Sequence, residues 1–230
     1  MNGDFARALV RAARPLIMEV KLRDADGREL LGGRSVAETV ERFEAAGAPC
    51  ISVVTGRWFG GTEELLSEVA ARTDLPLLRK DFLISRRQLE RSRELGASAV
   101  LLTAKLLPAP VLAGLTDHAL DLGLTPFVEV ADETDAAAVA RGSDCVVAVN
   151  NKDIATRERL PAEPRGPALL PAVRATGTRC PVSAGGITDP EAAAGLVDAG
   201  FAGLLIGTGL LRAPSVEAWC SAFDAARRVP

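Results

Sequence analysis

Histidine is almost missing from this 230-residue chain: there is one, His118, and it falls inside a predicted helix. A metal centre or a Ser-His-Asp triad would hang on that single badly placed residue, so neither is expected. Cysteine is sparse as well, with four widely spaced residues. Cys50, Cys145 and Cys180 sit at or beside the starts of apolar runs. They read as small buried hydrophobes in a reducing compartment, not as a zinc site or a disulfide framework. No apolar run approaches the ~20 residues that span a bilayer. Residues 1–7, Met-Asn-Gly-Asp-Phe-Ala-Arg, lack the basic-then-apolar layout of a secretion signal. Charge of one sign is not in excess either: a net −3 and a pI near 5.4 leave no footprint for nucleic acid or an anionic membrane. These absences point to a cytoplasmic protein whose partner is a small molecule; a monomer or weak homodimer is expected.

What is present is a rhythm. Short apolar runs begin near residues 16, 50, 77, 99, 125, 145, 181 and 203, with amphipathic segments between them. Runs such as Ala-Val-Leu-Leu-Thr at 99–103 and Cys-Val-Val-Ala-Val at 145–149 are apolar on both faces, as in a parallel sheet. Ser35-x-x-Glu38, Ser85-x-x-Gln88 and Thr188-x-x-Glu191 read as helix-opening capping boxes. Gly47, Gly96, Gly123 and Gly200 follow helical patterns where a left-handed residue stops a helix. After Ser35, Val36, Val40 and Phe43 share one helical face. Eight strand-then-helix units in one domain over residues 1–230 predict a (βα)8 TIM barrel. Residues 1–14 form a short helix (Phe5, Leu9, Val10, Ala13) across the barrel bottom or rim, and residues 160–167 a Pro-containing loop. The competing doubly wound sheet would want a Gly-rich loop after its first strand, and Lys-Leu-Arg-Asp-Ala-Asp-Gly at 21–27 is not one.

In such a barrel the strand C-termini converge on one mouth. Residues 77–82, Leu-Leu-Arg-Lys-Asp-Phe, end a strand on Lys80, held in a poorly solvated cleft as a proton donor or else paired with Asp81. Collecting the tips gives Glu19 and Lys21, Ser52, Lys80, Glu129, Asn150 and Ser183. Glu19 and Lys21, two apart, share a side. Two ammoniums and two carboxylates around one cleft supply an acid and a base, unless they merely tie off the barrel mouth as salt bridges. Gly185-Gly186 and Gly207-Thr208-Gly209 occupy the two loops where this fold binds phosphate.

With those residues collected, the chain resembles the indole-3-glycerol phosphate synthase family over about residues 15–211. The resemblance is carried by Met-Glu-Val-Lys (18–21), Ile-Ser-Val-Val-Thr (51–55), Trp-Phe-Gly-Gly (58–61), the run at 77–82, Val-Glu-Val (128–130), Val-Asn-Asn-Lys-Asp-Ile (149–154) and Leu-Ile-Gly (205–207). It implies a cofactor-free, decarboxylating and dehydrating ring closure, acting on a phosphorylated arylamino sugar. On that pattern Lys80 is the acid, Glu129 assists loss of water, and Lys21 holds the departing carboxylate. Glu19 and Asn150 position amine and hydroxyls, Ser52 and Ser183 join the substrate shell, and Phe59 and Phe82 wall the aryl ring. Lys152, Gly185, Gly186, Gly207 and Thr208 lie toward the phosphate.

The chain departs from the family's pattern where substrate is recognised. The usual Arg-x-Ser-Pro-Ser after the first lysine reads Leu-Arg-Asp-Ala-Asp at 22–26, setting Asp24 where a serine meets phosphate. The strand-seven Ser-Glu-Ser-Gly reads Ser183-Ala184-Gly185-Gly186, and Lys152 stands for an arginine, losing its bidentate fork. The segment before the barrel, which covers substrate in the family, is short. These departures lead to the expectation of a related arylamino-deoxyribulose phosphate substrate in specialised metabolism. The alternatives are the authentic tryptophan-pathway synthase and a non-catalytic barrel that only binds.

Overall fold

The computed structural model describes residues 3–152 and 165–227. Its strands are β1 (Leu16–Val20), β2 (Cys50–Val54), β3 (Leu77–Lys80), β4 (Ala99–Thr103), β5 (Thr125–Val130), β6 (Val146–Asn150), β7 (Cys180–Ala184) and β8 (Gly203–Ile206). All pair in parallel, in sequence order, and β8 closes on β1 through Leu16↔Leu204 and its neighbours. The helices are α1 (Asp4–Arg11), α2 (Val36–Ala45), α3 (Glu63–Ala70), α4 (Arg86–Glu94), α5 (Ala109–Asp121), α6 (Glu133–Ala137), α7 (Gly166–Ala175), α8 (Pro190–Asp198), α9 (Thr208–Leu211) and α10 (Val216–Ala226). The chain is a (βα)8 TIM barrel.

Because side chains alternate along a strand, the barrel sorts its residues into two cores. Leu16, Met18, Val53, Val100, Val128 and Val147 face outward against the helices. Ile17, Cys50, Leu78, Leu101, Phe127 and Val182 face inward and fill the barrel. α1 belongs to the inner set: Phe5 and Leu9 are fully buried there. Phe5 meets Phe127 edge-on at 6.3 Å between ring centroids. Leu9 sits so close to Gly203 that a Cβ there would lie 2.8 Å from its methyl carbon. Gly203 and Phe127 belong to the N-terminal halves of β8 and β5, so α1 plugs the barrel bottom and leaves the opposite mouth to the strand tips.

Local chemistry explains most boundaries. Ser35 caps α2 with the full reciprocal box to Glu38. Ser85 caps α4, though Gln88 reaches back to the amide of Ile84. The third box is corrected: α8 is capped by Asp189, whose carboxylate accepts from Ala192 N at 2.8 Å. Pro190 at the first helical position, where its missing N–H costs nothing, fixes that start, and Thr188 stays in the preceding loop. Gly47, Gly96, Gly123 and Gly200 all have positive φ. On α2 the buried residues are Thr39, Val40 and Phe43, with Val36 only half-buried. Of the loop expected at 160–167, residues 160–164 lie outside the described residues, and Gly166 and Pro167 are already the first turn of α7. Among the described residues no helix is long and apolar enough to cross a membrane.

Candidate active site

The strand tips enclose a cavity of about 300 Å³ at the barrel mouth. β1 contributes Glu19 and, just past its end, Lys21; β3 contributes Lys80, β5 Glu129 and β6 Asn150. Parity decides this membership: each stands an even number of residues from an inward core residue of its own strand (Ile17, Leu78, Phe127, Ala148). All but Lys80 are at least nine-tenths buried. The Lys80 ammonium lies 3.7 Å from Glu19 Oε2, and the Ser52 hydroxyl, in register on the neighbouring strand, donates to the same oxygen at 3.4 Å. Asp81 is not the partner of Lys80. Its carboxylate accepts from the Thr55 hydroxyl at 2.8 Å and from the Phe82 amide at 2.8 Å, which ties off the β3 tip.

Glu129 and Asn150 form a second unit. The Asn150 amide nitrogen donates to Glu129 Oε1 at 2.9 Å, while its oxygen accepts from Lys152 N at 2.8 Å. The amide is thereby fixed in one orientation and holds the carboxylate toward the cavity. Lys21 has its ammonium over the ring of Phe59, 3.6 Å from the centroid, a cation–π contact that steadies a buried charge. Lys152, Gly185, Gly186, Gly207 and Thr208 also line the cavity.

Four expected residues are set away from its wall: Ser52, which is completely buried and reaches the site only through Glu19, and then Ser183, Phe59 and Phe82. Ser183 lies between two inward residues, Val182 and Ala184, so alternation turns it outward. There it accepts from Asn151 Nδ2 at 3.1 Å and is completely buried. Phe59 lies behind Lys21, and Phe82 packs edge-on against Trp58, with 5.2 Å between centroids, outside the cavity lining. Beside its reading as an anion-cradling glycine, Gly207 has a second reason to be small. Its φ is −110°, so no left-handed backbone calls for glycine there, but a Cβ would collide with the Glu19 carboxylate. Its smallness makes room for Glu19. Gly185 and Gly186 do hold left-handed backbone, with φ of 84° and 74°.

Other residues reach the site without having been collected as tips. Arg212 and Asp26 line the cavity, as does Asp24, which the sequence marked only as a departure. Asp24 is not an unscreened charge facing phosphate. Burial alone would raise its pKa, but amide donors from Arg28 and Asp26, and then the Arg212 guanidinium, hold it below the ordinary aspartate value. Arg212 lies four residues, about one helical turn, beyond Thr208. That spacing after the eighth strand was the available signal. Thr103, at the β4 tip and in register with Glu129, has a buried hydroxyl with no hydrogen-bond partner. Among the described residues no group of three or more His, Cys, Asp and Glu is placed to hold a metal ion.

Similarity to known proteins agrees with this geometry. The family model described as indole-3-glycerol phosphate synthase matches residues 3–223. The indole-3-glycerol phosphate synthase of Pyrococcus furiosus is 33% identical over 211 residues, covering 91% of each chain. That of Geobacillus thermodenitrificans is 36% identical over 222 residues, 93% of this chain and 83% of the relative. That of Thermococcus kodakarensis is 37% identical over 156 residues, 67% and 68% of the two chains. With a barrel of this topology and a family match over nearly its whole length, the chain belongs to the indole-3-glycerol phosphate synthase family of cofactor-independent decarboxylating lyases.

Proposed function

We propose that this protein closes an indole ring on a carboxyphenylamino-deoxyribulose phosphate, releasing carbon dioxide and water. The observation that carries the reading is the convergence of Lys80, Glu19, Lys21, Glu129 and Asn150 on one cavity. In the proposed sequence the aryl carbon bearing the carboxylate attacks the ketone carbon, and Lys80 protonates the ketone oxygen as that bond forms. Lys21 holds the carboxylate until the carbon–carbon bond to it breaks and aromaticity returns. Glu129, held by Asn150, takes a proton from the adjacent methylene carbon and passes it to the new hydroxyl, which leaves as water, so that the carbon–carbon double bond of the indole forms between those two carbons. Glu19 aims Lys80 through their ion pair. Gly185, Gly186, Thr208 and Lys152 are assigned to the phosphate end.

The test is to supply the carboxyphenylamino-deoxyribulose phosphate and follow indole fluorescence together with carbon dioxide release. Turnover in the wild type that disappears in Lys80→Met supports the reading. A folded, inactive wild type overturns it.

One observation favours a second reading, in which the same chemistry serves a related arylamino sugar phosphate in specialised metabolism. Ala184 faces the cavity at the place where the family's pattern has a glutamate, leaving room and removing a charge. On this reading Ala184→Glu raises turnover of the tryptophan-pathway substrate, as restored binding energy acts on an acid–base pair already present. A fall in turnover speaks against it.

A further inference from the structure

The cavity wall carries four basic and four acidic side chains, a formal sum of zero around a site assigned a phosphorylated substrate. Two of those acids, Asp24 and Asp26, come from the turn that follows β1. The Asp24 carboxylate is fixed by that turn. Oδ1 accepts from the amides of Asp26 and Arg28, both at 2.9 Å, and the Asp24 amide donates to Arg28 O at 2.9 Å. Gly27, with φ of +82°, closes the loop. Oδ2 is left to pair with Arg212, the C-cap of α9. Arg212 has about half of its side chain in solvent, whereas Asp24 has 12%. The arginine is therefore the partner that can move.

The ion pair is not what holds the loop in place. Arg34 donates to Leu211 O at 2.9 Å, and the Arg23 amide donates to Phe59 O at 3.0 Å, so the loop is tied to both neighbouring turns without it. A pair half open to water is weak. A phosphate dianion offers the guanidinium a better, bidentate partner. Asp24 meanwhile keeps its two amide donors whether or not Arg212 is present.

We propose that Asp24 is a built-in competitor for the substrate's phosphate, and that Arg212 is the phosphate-binding cation it withholds. Binding then exchanges one partner of Arg212 for another: the guanidinium leaves Asp24 and closes on the phosphate beside Thr208 and Gly186. This inference rests on the phosphorylated-substrate reading above, and it sets how tightly the phosphate end binds.

Calorimetric titration with inorganic phosphate tests the exchange without any turnover. Asp24→Asn keeps the acceptor oxygen for both amides and removes only the charge. It is expected to tighten phosphate about tenfold, the scale of removing one partly screened charge beside a dianion. Arg212→Gln weakens phosphate by a similar factor, and in the double variant the gain from Asp24→Asn disappears. Asp26→Asn, a charge removed from the same loop that pairs with Arg28 and not with Arg212, gives a clearly smaller gain. Unchanged or weaker binding in Asp24→Asn overturns the proposal, as does an equal gain in Asp26→Asn or a gain that survives loss of Arg212. Tightened phosphate in a protein that forms no indole product leaves this exchange standing and removes the substrate assignment instead.

Discussion

Two adjacent basic residues at the end of β3 do opposite things. Arg79 points outward and is buried against the Thr55 hydroxyl, Ser92 and the Glu63 carboxylate, while Lys80 points into the cavity. Replacing each by methionine should separate the roles. Lys80→Met abolishes turnover with little change in melting temperature. Arg79→Met strands buried polar groups and lowers stability by about 2–3 kcal/mol in urea titrations. Glu129→Gln should lower kcat about 10²–10⁴-fold, the range for a general acid or base, measured by the fluorescence assay. Thr103→Val, which removes an unpartnered buried hydroxyl, should raise the stability of the free protein by about 1 kcal/mol. Much of the cavity was legible because alternation is rigid: once Ile17 and Leu78 are known to face inward, Glu19, Lys21 and Lys80 must follow. Ser183 was misplaced because a hydroxyl at a strand tip looks functional, although parity gave the inward position to Ala184. Arg212 escaped because it follows a strand tip by a turn of helix.

The turn from β8 into α9 is where two elements must nearly touch, and its glycines show what sets it. A Cβ on Gly209 would run into the backbone carbonyl of Ile187, in the loop after β7. A backbone atom cannot move aside as a side chain can, so Gly209→Ala should force the two loops apart. The measurable result is a raised KM for the phosphorylated substrate with some loss of stability. Gly207→Ala instead displaces the Glu19 carboxylate and, through its ion pair, Lys80, so its effect should fall on kcat. A shared KM effect with unchanged kcat in both variants would show that Gly207 serves the phosphate end after all. Sequence gave these glycines a common reading because composition shows only that a loop is glycine-rich. Which glycine answers to backbone conformation and which to a neighbouring atom depends on what the closed barrel brings beside it. The same limit moved the α8 cap from Thr188 to Asp189: both can accept an amide, and Pro190 decides between them.

α1 closes the bottom of an apolar barrel interior, and two of the four buried thiols lie within it. Cys50 and Cys180 lie in the inner core with Phe5 and Leu9, and Cys145 and Cys220 lie among the outward-facing core residues. Burial pushes the thiols of Cys145 and Cys180 up to about 12 and that of Cys220 up to about 11, from an ordinary 9.0, and raises Cys50 as well. A thiol that loses its proton less readily when folded keeps its full contribution to stability only where the unfolded chain is protonated as well. The unfolded chain ionises first, so the thiol contribution is complete below about pH 9 and declines as pH climbs toward the folded values. Each thiol then removes up to about 1.4 kcal/mol per pH unit in that window. Urea midpoints should therefore fall between pH 8.5 and 10.5. A variant with all four cysteines changed to alanine, although less stable at pH 8 because of the space it leaves, should lose midpoint more slowly over the same interval. The comparison is of slopes, so the cavity cost, which does not depend on pH, cancels. Leu9→Ala adds a second control. By loosening the plug over Gly203 it should speed labelling of Cys50 and Cys180 by a thiol reagent more than that of Cys220, which sits on the far side of the wall. Equal slopes in wild type and the alanine variant would mean that the thiols are wet in the native state, and labelling of Cys50 and Cys180 no faster in Leu9→Ala would mean that α1 does not seal the barrel.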